Sequence, residues 1–380
     1  MQTIVVPAVK IIQGDLILYG CSFRVSDLIR KNFYAVDTLD PEEEKKGYQR
    51  LLNKGRAKKL ADYIIDGMET KEAFLPTSIF IATHKSIEHN AATNTIAFDL
   101  DEIGPFAVVD GQHRLEGLRM AAEEDERVKE FMVSVNVAVK MPFPHQMAHF
   151  YIVNSTQKSV DKSVEQRIMA RLTDILDVDD DAPSLPAWIE RSVKRGDNDR
   201  ALKIADFLNS EPTSPWRGKI EMANQSLSGT TIKQMSFVKL TTKNVLNPSN
   251  TLGGKDVPIE RIQKLLLNYW RAIAAILATD NQETVLFKYL GCEVFHRFSH
   301  VFFLYMENQP DRKPERMQAI LKAMFDNVSG DYAGIGHPDY WKSGGPISFM
   351  NSSALSKVVG ALSESLHSLG RSVKSGVDDL

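Results

Sequence analysis

Residues 108–118 read Val108-Val109-Asp110-Gly111-Gln112-His113-Arg114-Leu115-Glu116-Gly117-Leu118. An apolar strand end breaks at Asp110-Gly111 and an amphipathic helix follows, so the stretch predicts a strand, a tight turn and a helix. A helix leaves its first N–H groups unpaired and carries partial positive charge at that end, where an anion is welcome. Gly111 lets the backbone come close to such a group. Arg114 adds a permanent cation with a planar fork suited to phosphate oxygens, and His113 adds a donor whose charge depends on pH. The turn reads as a phosphate cradle. The plainer alternative makes Asp110 an N-cap, Gly111 the bend, and His113 and Arg114 solvated residues of the first turn. Two basic residues there oppose the helix dipole by a few tenths of a kcal/mol unless an anion joins them. On the cradle reading Arg114 is a surface cation, and Arg114→Ala leaves folding nearly intact.

Outward from the turn, Phe106–Val109 is the strand that feeds it and Leu115–Val128 the helix that leaves it, turning acidic at Glu123–Glu126. Phe131–Lys140 alternates valines with polar residues at strand spacing, Pro142 and Pro144 close it, and His145–Asn154 starts another helix. Upstream, Thr3–Ile11 and Leu16–Phe23 flank a Gln-Gly-Asp turn and predict a hairpin. Pro41 opens an acidic-to-basic helical stretch ending near Gly67, and Pro76–Ala82 and Thr95–Leu100 are strand-like. This order predicts an α+β fold with a compact core over residues 1–165.

The second half reads as a mainly helical domain, 166–380. Val164–Asp177 is helical, Asp179–Asp181 is an acid run, and a breaker at Ala182–Pro186 places the boundary between Val160 and Pro186. Residues 209–258 are rich in Ser, Thr, Asn, Gly and Pro and predict an irregular or hairpin-bearing excursion. Ile259–Thr279, Thr284–Glu307 and Pro314–Phe325 carry helical patterns, Gly330–Gly345 a loop, and Ser353–Leu369 a last helix.

The chain has 380 residues, with 46 Lys and Arg against 49 Asp and Glu, for a net charge of -3. That balance argues against duplex DNA binding by bulk charge. A local basic stretch remains at Lys45-Lys46, Arg50, Lys54, Arg56 and Lys58-Lys59, more often a solvated helix face than a nucleic-acid footprint. The two cysteines, Cys21 and Cys292, have no metal-ligand spacing, and no apolar run approaches the ~20 residues that span a bilayer. A cytoplasmic location without membrane contact is expected. His145/His149 and His296/His300 share helix faces but lack further ligands, and Glu293-x-x-His296 lacks a matching second copy, so no metal site is expected. Gly253-Gly254-Lys255 lacks the earlier glycine and the Ser or Thr of a P-loop.

Asp110-Gly111-Gln112-His113-Arg114 resembles the signature of the DGQHR-domain family, found in DndB and DpdB of bacterial DNA-modification systems. Arg50-Leu51-Leu52-Asn53-Lys54-Gly55-Arg56 and Asn154-Ser155-Thr156-Gln157-Lys158-Ser159-Val160 fit the same family in order and spacing, with a weaker echo from Leu208-Asn209 to Ser214-Pro215-Trp216. The resemblance implies a ParB/sulfiredoxin-like mixed α/β core, in which a Gly-x-x-Arg turn holds a nucleoside triphosphate, here through Gly111 and Arg114. Gln112 stands where sulfiredoxin has its reactive Cys, which excludes sulfinic-acid repair. It also stands where ParB has a Glu, whose negative charge it cannot supply. On this basis ATP with Mg²⁺ is the expected cofactor. Gly111, His113, Arg114, Asn53, Arg56, Asn154, Thr156 and Lys158 are expected to bind it, and Asp110, Gln112, His113 and Arg114 to serve turnover.

The function implied is an ATP-hydrolysing subunit, DpdB-like, that supports a tRNA-guanine-transglycosylase-like partner (DpdA-like) inserting 7-deazaguanine into DNA. DNA is met through that complex. The alternative is a DndB-like DNA-binding regulator of a phosphorothioation operon. A third possibility is that the turn binds nucleotide as a conformational switch without hydrolysis.

Overall fold

The computed structural model describes residues 3–40, 47–155, 162–176, 197–225, 228–278 and 283–375. The chain is α+β and divides into two compact units, Met1–Val193 and Lys194–Leu380.

The first unit opens with the expected hairpin, β1 (Thr3–Gln13) and β2 (Leu16–Arg24), antiparallel with Ala8 opposite Cys21 and Gln13 opposite Leu16. A short helix α1 (Val25–Leu28) and strand β3 (Tyr34–Ala35) follow. Next come helix α2 (Lys54–Thr70), strands β4 (Ile79–Ala82), β5 (His89–Asn90) and β6 (Thr95–Asp99), and the short helix α3 (Leu100–Ile103). Strand β7 (Phe106–Asp110) leads into helix α4 (Gln112–Glu124), a 3-10 turn at Glu126–Glu130, strand β8 (Met132–Val139) and helices α5 (Phe143–Ser155) and α6 (Lys162–Leu176). The strands form one mixed sheet in the order β3-β7-β4-β8-β2-β1-β6-β5.

The pattern of side chains explains the sheet. β1 buries Ile4, Val6 and Ala8 and exposes Val5 and Val9, and β8 buries Val133, Val135, Val137 and Val139. Each such valine contributes roughly 1.5–3 kcal/mol when fully buried. β8 pairs antiparallel with β2 and parallel with β4, which in turn runs antiparallel to β7. Ala61 and Ile64 of α2 and Leu115, Leu118 and Ala121 of α4 join these strands in one core. The two helices approach closely at Gly117. A Cβ there would lie 2.9 Å from the Ala57 carbonyl oxygen and 3.0 Å from Leu60 Cδ2, so only glycine fits.

Two expectations change here. The helical stretch expected from Pro41 begins at Lys54; residues 47–53 are not helical, and residues 41–46 lie outside the described set. α4 begins at Gln112, earlier than the apolar pattern indicated, because polar Gln112, His113 and Arg114 form its first turn.

The second unit contains helices α7 (Asp197–Ser210), α8 (Gln234–Leu240), α9 (Ile259–Leu277), α10 (Tyr289–Met306), α11 (Pro314–Asp326) and α12 (Ser352–Ser375). Of the two forms expected for residues 209–258, the described residues take the irregular one. Their two short strands, β9 (Ile220–Glu221) and β10 (Ile232–Lys233), pair in parallel, and α8 continues into a π-helical turn at Thr241–Val245. Trp216 anchors this stretch edge-on against Phe237, Trp270 and Phe287, so the Leu208–Trp216 echo serves packing. The expected loop at Gly330–Gly345 holds 3-10 turns at Gly330–Gly336 and Pro338–Trp341. The acid run at Asp179–Asp181 and the breaker after it lie outside the described residues.

Candidate functional site

Strand β7 carries Val108 and Val109 into the core and ends on Asp110; Gly111, at φ 103°, swings the chain into α4. Gly111 occupies the N-cap position and no side chain caps this helix, which rules out the plainer alternative in which Asp110 does so. The backbone there is left-handed, and a Cβ would lie 3.2 and 3.3 Å from Ile79 Cγ2 and Cγ1. Gly111→Ala is therefore expected to cost about 1–3 kcal/mol, measured by denaturant unfolding.

The Asp110 carboxylate is committed elsewhere. Arg114 Nη2 donates to Asp110 Oδ2 at 2.5 Å, while its Nη1 donates to the carbonyls of Thr77 at 3.0 Å and Ser78 at 2.8 Å. Its side chain is 19% exposed. Arg114 is thus a clamp between the turn and the segment entering β4, and the expectation of a solvated cation is corrected. Strand pairing causes this, since β4 brings residues 36 and 37 positions away against the turn.

His113 and Asn53 join the starts of two helices. The Asn53 N–H donates to His113 Nε2 at 3.1 Å, and the Asn53 side chain caps α2 by accepting from the Arg56 N–H at 2.9 Å. The positive ends of α2 and α4 therefore converge. Each favours an anion by about 0.3–1 kcal/mol when exposed, and more in a partly buried pocket.

Burial, then the nearby Arg50 and Arg56 charges, push the His113 pKa down to about 4. At neutral pH the ring is uncharged, with Nε2 accepting and the proton on Nδ1. Because the unfolded value is about 6.5, the unfolded chain binds a proton between pH 6.5 and 4 that the folded chain refuses. Stability should fall as pH drops through that window, and fully buried His296, held at about 3 by burial, adds a contribution of the same sign. Urea unfolding at pH 7, 6 and 5 should show this, with a shallower decline in His113→Gln; equal slopes would contradict it.

Gln112 is 6% exposed, and its Nε2 donates to the Arg50 carbonyl at 3.1 Å. Its Oε1 is buried with no hydrogen-bond partner among the described residues. Asn154 is buried and its Nδ2 donates to the Phe150 carbonyl at 2.8 Å. These residues surround a cavity of about 580 Å³ whose lining includes Arg50, Arg56, Gln112, His113, Phe150 and Asn154. Asp110, Gly111 and Arg114 line it as well. Asp110 and Arg114 neutralise each other, and Arg50 and Arg56 are the other charged residues lining the cavity among the described residues. Burial, then repulsion from Arg56, lowers the Arg50 pKa.

The expected Asn53, Arg56, Asp110, Gly111, Gln112, His113, Arg114 and Asn154 therefore come together, Asn53 through its bond to His113. Thr156 and Lys158 lie outside the described residues. Sequence reasoning missed Arg50 as a site residue, although it opens one of the stretches that carried the resemblance. It missed Leu60, Leu75, Thr77 and Ser78 in the lining because nothing in their local pattern marks a pocket. Among the described residues no group of three His, Cys, Asp or Glu is placed to hold a metal ion. Cys292 Sγ and His296 Nδ1 meet at 3.2 Å inside the second unit.

Fold and site together define a mixed α/β protein with an arginine-lined cavity at a strand-to-helix turn. The chain belongs to the DndB family, DNA-sulfur modification-associated, which matches residues 6–287 and so spans every residue of the cavity. No curated protein and no solved structure matches it. No helix among the described residues is long and apolar enough to cross a membrane.

Proposed function

We propose that the protein is a nucleotide-binding regulatory component of a DNA phosphorothioation system, with the phosphates of a nucleoside triphosphate held between the starts of α2 and α4. The observation that carries this reading is the convergence of two helix N-termini with Arg50 and Arg56 on one nucleotide-sized cavity. Membership of the DndB family supports the phosphorothioation branch over 7-deazaguanine insertion. The strand–Gly111-x-x-Arg114–helix order supports the ParB/sulfiredoxin-like comparison, with one change of roles. Arg114 shapes the turn, and Arg50 and Arg56 meet the anion.

Binding is favoured over turnover. Asp110 is engaged by Arg114 and His113 Nε2 by the Asn53 N–H, so neither is poised to take a proton from water. The residues fit ATP with Mg²⁺ as a cofactor in a limited sense. The arginines and helix starts suit the phosphates, while the ion would be held mainly by phosphate oxygens and water, as Mg²⁺ commonly is. When bound, it would neutralise phosphate charge.

A second reading, direct contact with DNA phosphates, is favoured by one observation. Lys54, Arg56 and Lys59 are exposed on α2 without an ion-pair partner among the described residues, whereas Lys58 is paired with Asp62 and Glu124. Calorimetric titration with ATP, GTP and CTP plus Mg²⁺, beside a phosphate-release assay with and without DNA, separates these readings. Saturable 1:1 nucleotide binding with negligible phosphate release is expected. Sustained turnover would restore the hydrolase reading, and DNA binding alone with a steep salt dependence would favour the second.

A further inference from the structure

Gln112 is nine-tenths buried, lines the cavity, and leaves its Oε1 without a partner among the described residues. The orientation of its amide is fixed by chemistry. Nε2 donates to the Arg50 carbonyl, and flipping the amide would set two acceptors against each other. An unmet buried acceptor costs about 1–3 kcal/mol, and an ionised phosphate offers only acceptors, so the group that triphosphate oxygens would satisfy is not this one. The cavity presents cationic donors from Arg50 and Arg56 and, from Gln112, an acceptor that wants a donor. Leu60, Leu75 and Phe150 supply apolar lining that inorganic phosphates would not use.

We propose that Gln112 Oε1 accepts a hydrogen bond from the nucleoside part of the ligand, so that the site selects a nucleotide over an inorganic polyphosphate. This rests on the nucleotide-binding reading and deepens it. The ligand carries phosphates for the arginines and an amino or hydroxyl group for Gln112. A ligand lacking that group leaves the acceptor unmet, and the penalty becomes selectivity.

The test is calorimetric titration of the full-length protein with ATP and with inorganic triphosphate, both with Mg²⁺, in wild type, Gln112→Met and Gln112→Glu. Wild type should bind ATP at least about 10-fold more tightly than inorganic triphosphate, a ratio typical of one buried hydrogen bond. In Gln112→Met, of similar size but without the acceptor, the ratio should fall towards one. Gln112→Glu keeps an acceptor oxygen but loses the donor to the Arg50 carbonyl, so urea unfolding is run on both variants and affinities are read only from folded protein. It should bind both ligands more weakly, because its charge repels phosphate, while keeping a preference for ATP. Titration with dATP and ITP then identifies the donor. Weakening with dATP assigns it to the ribose hydroxyl, and weakening with ITP to the base amino group. Equal wild-type affinity for ATP and inorganic triphosphate, or an unchanged ratio in Gln112→Met, overturns this inference alone. Failure of both ligands to bind overturns it together with the nucleotide-binding reading.

Discussion

Arg114→Ala is expected to destabilise the first unit by about 2–4 kcal/mol, the opposite of what a surface cation in a phosphate cradle would show. The guanidinium fills three bonds at once, to the Asp110 carboxylate and to the Thr77 and Ser78 carbonyls. Its loss strands a carboxylate that is only 33% exposed and two acceptors on the approach to β4. Arg114→Lys should recover part of the loss, since a point charge can keep the ion pair but not the planar fork. A double-mutant cycle with Asp110→Ala, read by urea unfolding, should give a coupling of about 1–3 kcal/mol. A coupling near zero, with Arg114→Ala as stable as wild type, would return Arg114 to the role of a free anion ligand.

The paired substitution Arg50→Gln with Arg56→Gln should have the largest effect on binding, about 100-fold in triphosphate affinity. Each arginine contributes a charge-assisted contact of about 1.5 kcal/mol, and the two act on one anion. The Arg50 carbonyl, which holds Gln112, and the Arg56 N–H, which is capped by Asn53, belong to the backbone and are kept, and urea unfolding of the paired variant separates lost binding from lost stability. Calorimetry with ATP and Mg²⁺ measures the loss. An affinity within twofold of wild type would move the phosphate site away from the start of α2.

Much of the first unit is legible in the sequence because its signals are local. The hairpin follows from Val- and Ile-rich runs around Gly14, and β8 from valines at every second position. The strand–Gly111–helix turn is legible for the same reason, and it does sit in the cavity. Partnership across the sheet is not legible. Nothing near Arg114 indicates that Thr77 and Ser78 will present carbonyls to it, and that contact decides between a free cation and a clamp. Distance along the chain likewise hid Arg50, some 60 residues from the turn it faces, until Gln112 was seen to donate to its carbonyl. In the second unit α8 was obscured by the Ser-, Thr- and Asn-rich composition around it, where tertiary packing of Phe237 against Trp216 outweighs weak local propensity.

On the proposed function, the phosphates of a nucleotide sit where α2 and α4 begin. Hydrogen exchange with and without ATP and Mg²⁺ tests it most directly, because it reports location as well as binding. Protection should rise in peptides covering residues 50–57 and 111–115 and be lost in the paired Arg50→Gln, Arg56→Gln variant. Unchanged exchange at both segments under saturating nucleotide, or protection confined to other parts of the chain, would contradict the account.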